Sequence, residues 1–80
     1  MRIDKFLKVS RLIKRRTVAK EVADKGRIQI NGRIAKAGSE VRVNDVLTIE
    51  LGNKIIKCRI KDIREQVRAN EASCLYEIIE

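Results

Sequence analysis

The hydrophobic period of this chain changes once, at Gly26, and that change limits what it can fold into more than any other feature. Before Gly26 the spacing is helical. Ile3, Phe6, Leu7 and Ser10 share one face while Lys5 and Lys8 point away, which predicts a helix over residues 3–10. Asp4 falls in its first turn, where a negative charge complements the helix dipole or pairs with an arginine. Residues 11–16, RLIKRR, set two apolar residues among four cations and read as a connector. Thr17 is placed to cap a second helix, its hydroxyl accepting from the early free amides. Val18 and Val22, with Ala19 and Ala23, are expected to form that helix's inner face, and Gly26 its left-handed stop.

After Gly26 the period is two. Ile28 and Ile30 alternate with Arg27 and Gln29, and Asn31-Gly32 follows, a turn pair that tolerates positive φ at both positions and so predicts a hairpin. A polar stretch over 37–45 ends in a turn at Asn44-Asp45. Residues 46–51 read as a strand, Gly52-Asn53 as a second tight turn, and 54–63 as another strand with Ile56, Cys58 and Ile60 on one face. Lys57, Arg59 and Lys61 form its solvated face. Residues 64–72 fit either a loop or one helical turn, and Cys74 to Ile79 are expected to return as a last strand. The expected fold is therefore α+β: a basic helix–turn–helix at the N-terminus packed on a small, mostly antiparallel sheet, within a single domain over 1–80. A chain of this size buries only about 60% of its unfolded surface, so the core is thin.

Charge then narrows the function. Residues 1–36 hold 12 Lys and Arg against 3 acids, a net +9, whereas residues 37–80 hold 7 against 8, a net −1. Solubility gives no reason to concentrate charge in one half; a polyanionic partner does. Phe6 and Tyr76 are the only aromatics, so base-stacking platforms for single strands are not expected and folded RNA or duplex is favoured. With no His and no phosphate-cradling glycine motif, the chain is not expected to be an enzyme, nor to need a cofactor or metal. No N-terminal apolar segment suggests export and no run approaches a membrane span, so the chain is expected in the cytoplasm, with Cys58 and Cys74 expected as reduced core thiols.

The constellation that carries function is a cationic ridge on the two helices and their connector: Arg2, Lys8, Arg11, Lys14, Arg15, Arg16 and Lys20, with Arg27 and Lys36 extending it from the hairpin. Arginine suits phosphate because its planar fork pairs two oxygens. Asp4, Thr17, Gly26, Asn31 and Gly32 are assigned structural roles. Arg16→Glu is expected to leave the domain folded, as surface substitutions usually do.

The motifs Arg2-Ile3-Asp4, Arg16-Thr17, Ala19 and Gly26-Arg27-Ile28-Gln29-Ile30-Asn31-Gly32 resemble the RNA-binding domain named after ribosomal small-subunit protein four. The resemblance covers about residues 1–51, leaving 52–80 as a C-terminal strand extension, and departs from the family at Asn44-Asp45, where Gly-Asp is usual. A stand-alone copy is similar to a narrower group, the small heat-shock protein of ribosome recycling and its ribosome quality control relatives in Gram-positive bacteria. That resemblance implies an adaptor binding rRNA and tRNA on the large ribosomal subunit during rescue, a tail-synthesising factor as partner, no membrane contact and a monomer. Ribosome assembly, RNA chaperoning, or service as the RNA-binding accessory of a separate RNA-modifying enzyme are the alternatives. DNA reading is weaker, since the second helix offers mostly Lys, Glu and Ala.

Overall fold

The computed structural model describes residues 1–79. Helix α1 spans Ile3–Val9 and helix α2 Arg16–Asp24, and five strands follow: β1 Ile28–Ile30, β2 Arg33–Ile34, β3 Val46–Leu51, β4 Lys54–Ile60 and β5 Tyr76–Ile78. The strands form one sheet in the order β2-β1-β3-β4-β5, with every neighbouring pair antiparallel. The switch of period at Gly26 is thus the boundary between helices and sheet, and Gly26 itself has φ 72.

Register shows which face is inside. Ile28 pairs Ile49, Ile30 pairs Leu47, and Leu47 and Ile49 pair Cys58 and Ile56. This apolar face meets Ile3, Phe6 and Leu7 of α1 and Ala19 and Ala23 of α2 in one core, with Phe6, Ile3, Leu7, Ile28, Leu47 and Ile49 at 0% exposure. The opposite face carries Gln29, Thr48 and Lys57, and Arg59 there pairs with Glu77 of β5. The chain start is stitched to the 37–41 loop: the Ile3 amide donates to the Ser39 carbonyl at 2.7 Å and the Val41 amide to the Met1 carbonyl at 2.9 Å. That seam holds α1 in place over the sheet.

Both predicted tight turns form where sequence places them. Asn31 and Gly32 have φ 53 and 82, the mirror-type turn that follows the right-handed twist of its strands. Asn31 does more than turn the chain: its Oδ1 accepts from the Val46 amide at 2.9 Å and its Nδ2 donates to Asp45 at 3.0 Å, clamping the hairpin to the Asn44-Asp45 turn.

Five expectations need correcting. Thr17 caps nothing: α2 begins at Arg16, its N-cap is Arg15, and no side chain makes the cap bond. Val18 is 38% exposed, because Ala19 and Ala23, one turn apart, face the core and rotate Val18 outward. Cys74 and Leu75 are not strand but the end of a 3-10 helix, Ala69–Leu75, which turns Ala72 and Leu75 into the core and leaves β5 to start at Tyr76. In consequence Cys74 is exposed, whereas Cys58 is a core thiol that burial pushes up to about 11. The strand expected over 54–63 ends at Ile60; residues 61–68 form an irregular strap that leads into the 3-10 helix.

Candidate nucleic-acid interface

Helix α1 stops at Ser10, and Arg11 takes the left-handed conformation with φ 62, its amide donating to the Lys8 carbonyl at 3.1 Å. Glycine is the usual residue for that position, and an L side chain there costs about 1–2 kcal/mol. The turn throws the basic connector outward while Ile13, whose amide donates to the Leu7 carbonyl at 3.1 Å, anchors it to the core. Arg11, Lys14, Arg15 and Arg16 are therefore all exposed, and Lys20 follows on α2.

The connection between the helices is also ionic. Asp4 is buried, with only 4% of its side chain exposed, and sits between two arginines. Arg2 reaches Oδ2 through its terminal nitrogen at 3.2 Å; Arg16 reaches the same oxygen through Nε at 3.3 Å and Oδ1 through its terminal nitrogen at 3.4 Å. The Lys5 amide donates to Oδ1 at 2.8 Å. Asp4 is thus an arginine partner, one of the two structural roles open to it from sequence, and it sets Arg2 of α1's cap beside Arg16 of α2. Arg16 is consequently not a plain surface cation: Arg16→Glu would bring a carboxylate against a buried carboxylate, so a stability cost larger than that of an ordinary surface substitution is expected.

The other predicted contact residues are distributed unevenly. Lys8, Arg11 and Lys14 line one cleft, and Lys8 is shared with an adjoining hollow that Lys5 and Arg16 also line. Lys36 lies close to the Asp4 cluster, since the Asp4 amide donates to the carbonyl of neighbouring Ala37 at 3.3 Å. Arg27 does not join them. It follows the C-terminal end of the nine-residue α2, so roughly 13 Å of helix rise separates it from Arg16. Among the described residues, Lys8, Arg11, Lys14, Arg15 and Lys20 form no ion pair, so their charge is uncommitted.

Sequence reasoning missed the strap. Glu65 pairs with Lys5, whose ammonium holds the Glu65 carboxyl below its usual range, and this contact lays residues 65–67 alongside α1. Within the strap, Arg64 bonds Asp62 at 2.7 Å and lies 3.6 Å from Glu71. No local signal announces a contact between residues 60 positions apart. No helix among the described residues is long and apolar enough to cross a membrane, and no group of His, Cys, Asp or Glu among them is arranged to hold a metal.

Comparison with known proteins identifies the family. The S4 domain matches residues 1–47. A protein named RQC P-site tRNA stabilizing factor from Halalkalibacterium halodurans is 58% identical over 78 residues, spanning 98% of this chain and 89% of that protein. Its namesake from Streptococcus pneumoniae is 52% identical over 79 residues, spanning 99% of this chain and 90% of that protein. Among solved structures, the trimeric structure of Vibrio cholerae heat shock protein 15 matches with a TM-score of 0.91 at 31% identity, covering 99% of this chain and 81% of that one.

Proposed function

We propose, from the premise that this chain belongs to the S4 domain family and to the branch holding the RQC P-site tRNA stabilizing factors, that it is a non-catalytic RNA-binding adaptor of ribosome quality control. It works in the cytoplasm, gripping rRNA and tRNA on the large ribosomal subunit and holding peptidyl-tRNA while a tail-synthesising factor acts. Residues 1–51 are the RNA-binding core and residues 52–80 an extension that supports it.

The observation that carries this reading is the uncommitted charge of Lys8, Arg11, Lys14, Arg15 and Lys20 along the connector and the two helices it joins, with the Arg2 and Arg16 guanidinium groups held by Asp4. Phosphates can enter without breaking an ion pair at the first five, and the two arginines are positioned before RNA arrives. Arg27, at the far end of α2, and Lys36, beside the Asp4 cluster, serve as outlying contacts.

The test uses Arg15→Glu/Lys20→Glu, a double charge reversal at exposed residues outside the Asp4 cluster, with Lys61→Glu as control. Each protein is sedimented with large subunits carrying peptidyl-tRNA. The parent and Lys61→Glu should co-sediment and the double variant should not. A parent that stays in the supernatant would refute the ribosomal assignment; a double variant that binds like the parent would refute the ridge.

A further inference from the structure

We infer that the cleft between the end of α1 and the 65–67 strap is a pocket for one unpaired nucleotide of a folded RNA, phosphate on the α1 side and base on the strap side. The inference rests on the RNA-binding reading above and deepens it.

The cleft has a volume of about 550 Å³, within the range of sites that enclose a small ligand. Its walls differ in chemistry. Lys8, Arg11 and Lys14 supply three cations from one side, none of them in an ion pair among the described residues. From the other side Gln66 supplies a side-chain amide that both donates and accepts, beside Val67, which like Val9 at the end of α1 is half-buried and packed on the core; Glu65, also in the lining, has its carboxylate paired with Lys5. An anion alone would use only the first wall, and an apolar ligand only the second. A nucleotide uses both: its phosphate meets the cations, its base edge meets the amide, and its flat face lies over the valines.

Two further features show that the cleft is built rather than incidental. Arg11 keeps the left-handed conformation that glycine would adopt without strain, and its guanidinium is what that substitution adds to the cleft wall. The strap wall is anchored by Val67 against the core, with the exposed Lys5–Glu65 pair beside it. This wall lies beyond the residues 1–47 that match the S4 domain; the later part of the chain adds a pocket to a surface that the earlier part makes merely cationic. Perfectly paired RNA presents no free base to the strap, whereas a bulge or loop does.

The experiment compares short RNA duplexes, each with a single bulged A, C, G or U, against the fully paired duplex of the same length. The parent chain should bind at least one bulged duplex about tenfold more tightly than the paired one, the increment a well-matched amide-to-base contact brings. Gln66→Glu, at an exposed position, should keep its thermal midpoint yet lose that preference, and Gln66→Ala should reduce it. Equal binding of all five duplexes by the parent, or a preference that survives Gln66→Glu, would overturn the pocket. So would uridine or adenosine monophosphate competing as well as bulged RNA, since the ligand would then be a free nucleotide. Co-sedimentation of the parent with large subunits separates the two readings. A parent that sediments with subunits but ignores bulges overturns the pocket alone, and one that prefers bulges but never sediments overturns the ribosomal assignment alone.

Discussion

Reversing the charge of Arg16 should cost stability, and the amount can be worked from the Asp4 cluster. The Asp4 side chain is 4% exposed, and the Arg16 side chain, whose Nε lies 3.3 Å from Oδ2, is 46% exposed. Stripping a buried charge of all its partners costs roughly 3–5 kcal/mol. Arg16→Ala does less: Arg2 at 3.2 Å and the Lys5 amide at 2.8 Å still hold the carboxylate. Solvent also screens the half-exposed guanidinium, so about 1–2 kcal/mol is expected. Arg16→Glu adds repulsion between two carboxylates, partly relieved as the shorter side chain turns to water, for a total of about 2–3 kcal/mol. A domain of this size has on the order of 4–12 kcal/mol in all, and each kcal/mol moves its midpoint by about 4–8 °C. Thermal melts should therefore show Arg16→Ala lowered by about 5–15 °C and Arg16→Glu by about 10–20 °C. Adding Asp4→Asn to Arg16→Glu should restore at least about half the loss, because the neutral amide no longer repels the new acid. An Arg16→Glu protein that melts with the parent, or one that Asp4→Asn does not rescue, would show that the pair does not couple the helices. RNA affinity of these variants must accordingly be measured well below the lowest midpoint.

Binding of structured rRNA or tRNA should weaken with salt by roughly 0.7–0.9 log units per log unit of salt for each phosphate neutralised, and a flat titration would exclude the phosphate clamp. Native protein should react with a thiol reagent at Cys74 alone, with Cys58 appearing only in denaturant; two fast thiols would contradict the burial and raised pKa of Cys58. Thr17→Ala should shift stability by less than about 0.5 kcal/mol, because Thr17 makes no cap. Asn31→Ala should cost about 1–3 kcal/mol, losing two side-chain bonds and straining a residue at φ 53; equal melts for the two variants would refute the contrast.

What the sequence determined by itself is what neighbouring residues decide together. The period change at Gly26, the positive φ at Asn31, Gly32 and Gly52, and strand β3 at Val46–Leu51 all stand where local spacing and turn chemistry put them. The concentration of cations before residue 37 was equally legible, since charge needs no fold to be counted. Where a local rule failed, a distant contact had overruled it. Thr17 has the chemistry of a cap, but Arg16, docked on Asp4 twelve positions away, is already helical. Residues 64–75 carry no clear period, because their shape is set by Leu75 and Ala72 entering the core and by Glu65 reaching Lys5 across 60 residues. The exposure of the connector cations Arg11, Lys14, Arg15 and Arg16 followed from sequence. The internal order of the ridge, with two arginines held by a buried acid and three cations facing Gln66 across a cleft, required the chain to close on itself, because such contacts are chosen by the packing of the whole core and not by any stretch within it.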